Sequence, residues 1–496
     1  GRPRRTRDLA AEGPPDDDER ARVAGDAAAR AGGQHAPLRI AAAVIASGEL
    51  SFAEGLGLER RLFAESRADP QSAALRHLFF AERAAGKVTA APSTVEVVGV
   101  VGAGTMGTGI AIALLDAGLT VVLNDVDQAS LERGRARVAS HYARQVERGR
   151  LDPARSQACL DRLSTSENLA AAARCDLVIE AIVEDLAAKQ AVFRRLDAAL
   201  PPSALIATNT SYLDVDQLAC ATQRPDRVLG MHFFSPANVM RLVEVIRAAA
   251  TAADSVATAA ALARRLRKIP VIVGNAPGFV GNRMLQAYGR ENQLLLLEGA
   301  TPWQVDAALE RFGMAMGPNA GLDLAGLDIG YLARRQRKDL PDDPRYFRVA
   351  DLLVERGRLG RKAGRGSYLY PGDGARRPDP EVEALIEAEA GRLGVSRRSV
   401  PDEEIVERCM LALVNEGARL LDEGIAASAA DIDVVWTNGY GFPRHLGGPM
   451  WHADSLGLAE VAHAVARLAA RHGTRYWTPA PLLLGLASRG GRFHAH

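Results

Sequence analysis

Lysine is scarce in this sequence: Lys87, Lys189, Lys268, Lys338 and Lys362 are the only ones among 61 basic residues. With 61 basic residues set against 60 acidic ones, the formal net charge is +1. No basic field for a polynucleotide exists, so nucleic-acid binding is not expected and any anionic ligand needs a local site. Cysteine is also sparse. Cys159, Cys175, Cys220 and Cys409 lie far apart, with no C-x-x-C pair and no histidine at metal-ligand spacing. That excludes a disulfide scaffold, and no metal site is expected. No apolar run approaches the roughly 20 residues of a membrane span and no apolar leader opens the sequence, so a soluble, cytosolic (cytoplasmic) protein is the default expectation. A first residue of Gly1 fits a fragment or a processed product.

What is present is ordinary globular material. At 496 residues, with 47% hydrophobic and 24% charged, the chain is long enough for about three domains. Residues up to about Gln34 are Arg, Asp, Ala, Gly and Pro, including the run Asp16, Asp17, Asp18, Glu19, and read as a mobile or weakly helical arm. Helical periodicity then carries Phe52, Leu56, Leu62, Phe63, Leu75, Leu78 and Phe79. From Val95 short β-branched runs alternate with amphipathic stretches. Val95–Val101, Thr120–Asn124, Asp176–Ala181, Ala204–Thr208, Val228–His232 and Leu242–Ile246 are predicted strands. This alternation predicts an α/β, doubly wound and mainly parallel sheet. After Pro277 the pattern is helical. Glu298-Gly299-Ala300, Val305-Asp306 and Gly317-Pro318 recur as Glu423-Gly424-Ile425, Ile432-Asp433 and Gly448-Pro449, at offsets of 125, 127 and 131 residues. Two copies of one all-helical unit are expected. The predicted divisions are an arm at 1–36, a helical linker at 37–93, a dinucleotide-binding domain at 94–275, helical units at 276–372 and 399–496, and a turn-rich linker at 373–398.

Gly102-Ala103-Gly104-Thr105-Met106-Gly107 follows the first strand and opens a helical run. In that context the glycines let the backbone approach a pyrophosphate at a helix N-terminus, as in a Rossmann domain. Asp125 ends the next strand 23 residues after Gly102, where a carboxylate accepts from a ribose 2′-hydroxyl and repels a 2′-phosphate. NAD is therefore favoured over NADP. His232 ends another strand ahead of Ser235-Pro236; if the chain turns back near Ala237, Glu244 reaches the imidazole. A carboxylate-backed histidine suits alcohol oxidation. Spacing alone leaves open whether His232 is a base or a satisfied interior residue. It equally leaves open whether Ser211 and Asn282 bind a substrate or merely cap and turn the chain.

The string Val100 to Ile110, Glu184 with Lys189, Asn209-Thr210-Ser211, His232 to Pro236, Glu244 and Pro277 to Arg283 together resemble the 3-hydroxyacyl-CoA dehydrogenases, from about Val95 to the C-terminus. The resemblance implies an acyl-CoA thioester as substrate, with oxidation of (S)-3-hydroxyacyl-CoA to 3-ketoacyl-CoA in fatty-acid β-oxidation. It implies that His232 is the base, that Glu244 orients it, and that Ser211 and Asn282 bond the reacting oxygens. Gly102, Gly104, Thr105, Met106, Gly107, Asp125, Glu184 and Lys189 then hold NAD. The doubled helical half, with Gly441-Phe442-Pro443-Arg444, is similar to multifunctional β-oxidation enzymes of the peroxisomal bifunctional type. There the second copy can stand in for a partner subunit, which suits a monomer; a homodimer is the other arrangement. Tyr212, Ser235 and Ser367 depart from the family pattern and bear on chain-length preference. Residues 37–87 resemble only the helices that close a crotonase-type hydratase module, so no enoyl-CoA hydratase activity is expected. Two other readings are a β-hydroxyacid dehydrogenase of the 6-phosphogluconate type, which needs a lysine where His232 stands, and a non-catalytic NAD-binding relative like some lens crystallins.

Overall fold

The computed structural model describes residues 16–337, 339–372 and 374–495. Its eight-stranded sheet comprises β1 (Val97–Val101), β2 (Thr120–Asn124), β3 (Leu163–Ser166), β4 (Leu177–Glu180), β5 (Leu205–Thr208), β6 (Val228–Phe233), β7 (Leu242–Arg247) and β8 (Ile269–Gly274). The spatial order is β3-β2-β1-β4-β5-β6-β7-β8. The first six strands are parallel, β7 runs antiparallel to β6, and β8 is parallel to β7. Two strands escape the sequence reading because both are edges. β3 is Leu-Ser-Thr-Ser with a single buried residue, and β8 carries Pro270, which a central strand does not tolerate.

Side chains alternate between the two faces of the sheet, as strand geometry requires. Val98, Val100, Leu177, Ile179, Met231, Val243 and Val245 pack on one face with the helix Thr105–Asp116. Val178, Ile206, Val228, Leu242 and Ile246 pack on the other, continuous with the helical half of the chain. By parity, Glu180, Thr208, His232 and Glu244 all belong to this second face. Four polar residues are thus carried to the junction between sheet and helices.

The helical half repeats as expected. Gly281–Glu298, Pro302–Phe312, Pro318–Ala325 and Leu327–Gln336 correspond in order to Asp402–Asp422, Ala429–Gly439, Pro449–Leu456 and Leu458–His472. The two long helices lie against each other, and fully buried Arg408 of the second bonds Glu291 and Glu298 of the first at 2.7–3.1 Å.

Two segments are more regular than expected. Of the expected arm, residues 1–15 lie outside the described residues, but Asp17–Ala31 is an α-helix packed on Ala36–Ala46. The acidic run is a helix start: Asp16 accepts from the Glu19 N–H, Asp17, Asp18 and Glu19 face the positive end of the dipole, and Gly32 closes the far end at φ +52°. The expected linker contains the helix Pro380–Arg392, capped by Asp379 and burying Val382, Ile386 and Ala390.

Candidate active site

β1 lies between β2 and β4, so the sheet reverses its winding there and a crevice opens at the carboxyl ends of these strands. Gly102 leaves β1 at φ +108°, where a Cβ would sit 2.5 Å from the Ala181 carbonyl oxygen. A Cβ on Gly107 would fall 1.8 Å from the Gly102 oxygen. These two glycines therefore make the tight strand-to-helix turn possible. Gly104 caps the following helix with nothing within 4 Å of its Cβ position, leaving the first N–H groups of that helix open to an anion. Thr105 and Gly104 are exposed there, and Met106 is partly so. The Asp125 carboxylate, part-buried at the end of β2, accepts from the Ala103 N–H at 2.8 Å. Open amides at a helix start, close backbone approach and a carboxylate at the second strand fit NAD.

The antiparallel register of β6 and β7 sets His232 directly opposite Glu244. His232 Nδ1 lies 2.8 Å from Glu244 Oε2, and the two residues are 5% and 0% exposed. Glu244 Oε1 accepts from the Val280 and Gly281 N–H groups at 3.2 and 2.9 Å. The chain reaches that geometry through two consecutive left-handed residues, Gly278 at φ +79° and Phe279 at φ +48°. With Oε1 taken by two backbone donors, Oε2 is the oxygen left for Nδ1, and the ring turns Nε2 away from Glu244. Ser211 Oγ stands 3.3 Å from that Nε2, and Phe234 and Phe279 pack against the ring with centroids at 4.6 and 5.7 Å.

Asn282 opens the helix Gly281–Glu298, and its Oδ1 accepts from the Tyr440 hydroxyl at 2.9 Å. Tyr440 belongs to the second helical unit, and burial holds its phenol pKa well above the usual range, so it remains a donor. The sequence reading missed Tyr440 because 158 residues separate it from Asn282.

Glu184 and Lys189 sit next to the loop that carries Ser211. Glu184 Oε1 accepts from Thr210 Oγ1, Ser211 N and Tyr212 N at 2.5, 2.8 and 3.1 Å, so it shapes the loop that presents Ser211. Lys189 is 1% exposed, with Nζ 2.6 Å from Glu180 Oε1 and 3.4 Å from Glu184 Oε2. Its ammonium is drawn inward because Glu180, fully buried beside Thr208 across β4 and β5, needs a counter-charge. Tyr212 sits under the Arg337 guanidinium at 5.7 Å, and burial raises its pKa. Ser367, buried, gives its N–H to Asp323.

A dinucleotide crevice beside a histidine–carboxylate pair defines the class of NAD-dependent alcohol dehydrogenases. The 3-hydroxyacyl-CoA dehydrogenase NAD-binding domain matches residues 97–276, and its C-terminal domain matches twice, at 278–370 and 405–492. The chain belongs to the 3-hydroxyacyl-CoA dehydrogenase family. It is 42% identical over 488 residues to the peroxisomal bifunctional enzyme of Danio rerio, covering 93% of this chain and 67% of that protein. The chain thus spans about two thirds of that relative. Among solved structures, 3-hydroxybutyryl-CoA dehydrogenase of Escherichia coli K12 aligns with a TM-score of 0.68 at 28% identity, over 80% of this chain and 99% of its own. The dehydrogenase part of multifunctional enzyme 1 from C. elegans aligns at 0.61 and 28%, over 82% and 96%. A relative named peroxisomal lends no support to the cytosolic expectation. Among the described residues no helix is long and apolar enough to cross a membrane.

Proposed function

We propose that the chain oxidises (S)-3-hydroxyacyl-CoA to 3-ketoacyl-CoA with NAD as hydride acceptor, a step of fatty-acid β-oxidation. The observation that carries this reading is the buried His232–Glu244 pair at 2.8 Å, with Nε2 turned to Ser211. Bound in the Gly102 to Asp125 crevice, NAD supplies the acceptor for the C3 hydrogen. His232 Nε2 removes the 3-hydroxyl proton, and the Glu244 charge stabilises the imidazolium as it forms. Ser211 Oγ bonds the reacting oxygen. Asn282, its Oδ1 occupied by Tyr440, has its amide N–H groups left to donate to the acyl group. Glu184 holds the Ser211 loop through its hydrogen bonds, and Glu184 with Lys189 contacts NAD in this proposal. The second helical unit takes the place of a partner subunit, so the chain works as a monomer. No enoyl-CoA hydratase activity is assigned to it: among the described residues the segment before β1 holds the helices Asp17–Ala31, Ala36–Ala46, Phe52–Ala68 and Pro70–Ala84.

The test is NADH formation with 3-hydroxyacyl-CoAs of four to sixteen carbons. Turnover is expected with the (S) substrates, and His232→Gln should cut kcat by roughly 10² to 10⁴, the range for a lost general base. Absence of NADH formation at every chain length would refute the reading.

A further inference from the structure

Outside the His232 site, three side chains distant in sequence converge at the end of the chain. His77 lies on the helix Pro70–Ala84, Asp433 on Ala429–Gly439 and His494 in the last turn, Phe493–Ala495; one ligand atom from each falls within 4.8 Å of the others. Both Nε2 atoms meet the same oxygen, Asp433 Oδ2, at 2.9 Å from His77 and 2.8 Å from His494. The other ring nitrogen of His494 is 2.7 Å from Asp454 Oδ2, the carboxylate-to-imidazole contact that orients metal-binding histidines. His77 is fixed by stacking on Trp451, with ring centroids 4.4 Å apart and planes 12° from parallel.

Asp433 and Asp454 are 0% and 8% exposed, and among the described residues neither pairs with an arginine or lysine. The imidazoles of His77 and His494 are their side-chain partners instead. The first repeat shows that this arrangement is not needed for folding the unit. There Asp306 accepts from the Asn319 N–H at 2.9 Å and from the neutral Tyr368 hydroxyl at 2.8 Å. Asp433 keeps the equivalent backbone bond, to Met450 N at 2.8 Å, but His494 replaces the tyrosine and His77 joins from outside the repeat.

We propose that His77, Asp433 and His494 bind a divalent transition metal of the zinc type, with Asp454 holding His494 and water in the fourth position. Two imidazoles and one carboxylate suit zinc, cobalt or copper better than magnesium or calcium. Tetrahedral bonds of about 2.0–2.2 Å place ligand atoms about 3.4 Å apart, so the observed contacts must open by only about 0.5 Å. The ion would clamp the N-terminal helices and the last turn of the chain onto the second helical unit. Sequence spacing hid the site, since 356 residues separate His77 from Asp433.

The experiment uses the full chain made without an affinity tag, stripped with EDTA and titrated with Zn²⁺ and with Co²⁺. One equivalent of zinc per chain, visible absorption bands of tetrahedral Co²⁺ and a melting temperature raised by several degrees are expected. His77→Gln and His494→Gln should each lose the bands and the melting shift. NADH formation by the stripped chain should persist, because no ligand belongs to the His232 site, and this separates failure of the metal proposal from failure of the dehydrogenase reading. No bound zinc, no Co²⁺ bands and melting indifferent to EDTA would overturn it. Undiminished binding by both variants would overturn it too. The Co²⁺ spectrum of the unmodified chain decides the matter even if a variant fails to fold.

Discussion

His232 and Glu244 lie twelve positions apart in sequence, yet antiparallel pairing makes them direct cross-strand neighbours. Glu244 holds Nδ1 with one oxygen and the start of the Gly281–Glu298 helix with the other, so it couples His232 to the element carrying Asn282. Glu244→Gln retains shape and one acceptor but removes the charge that, in the proposed mechanism, stabilises the imidazolium. It should lower kcat while changing KM less. Since both residues act through one proton transfer, the double variant with His232→Gln should be scarcely slower than His232→Gln alone. Additive losses in single-turnover kinetics would mean that the two do not act as a unit. The histidine and its carboxylate were legible because a strand, a Ser-Pro turn and a second strand constrain each other locally. Tyr440 was not, because its approach to Asn282 depends on packing between two helical units.

At the scale of elements, several helices start or rest on carboxylates held in ionised form. Asp69 caps the helix Pro70–Ala84 through the Gln71 N–H, and His35, this N–H and Arg39 hold its pKa down at about 2. Glu389, on Pro380–Arg392, is held at about 2 by hydrogen bonds from Arg392 and Arg348. Both pKa values are lower in the folded chain than their ordinary values of 3.8 and 4.5. Their stabilisation is therefore complete above pH about 4.5 and is lost as pH falls toward about 2. Thermal unfolding followed between pH 5 and 2.5 should show this slope, and Asp69→Asn with Glu389→Gln should flatten it. An unchanged slope in that double variant would assign acid sensitivity to other groups. Such caps also explain the misread segments. Asp16 and Asp379 begin helices inside stretches whose composition suggests a loop, and a single side-chain bond to a free N–H decides the matter there.

For the whole molecule, the decisive contact is between the helices Gly281–Glu298 and Asp402–Asp422. Met284, Tyr288, Leu295 and Leu297 of the first are buried in one core with Ile405, Cys409, Leu413 and Leu420 of the second. A face of this kind, left open, would recruit another chain; here the same chain covers it. Sedimentation at micromolar concentration should therefore give a monomer with full dehydrogenase activity. Ile40, Val44, Phe52, Phe63, Phe79 and Phe80 remain exposed on the N-terminal helices. If a dimer forms and Phe63→Asp with Phe80→Asp dissolves it without loss of activity, association belongs to that face and not to the catalytic half.

The sequence by itself determined the strand-helix alternation, the dinucleotide turn, the duplication and the pairing of His232 with Glu244. Each is written in a run of neighbouring residues, through period-2 and period-3.6 burial, glycines where a Cβ has no room, and turns between adjacent strands. Only the tertiary structure decided that the second helical unit reaches Asn282 through Tyr440. It also decided that Lys189 turns inward to Glu180, and that His77, Asp433 and His494 share one point in space. These contacts join segments far apart in sequence. Their geometry follows from how a sheet face and two helical units pack, and local patterns carry no information about that.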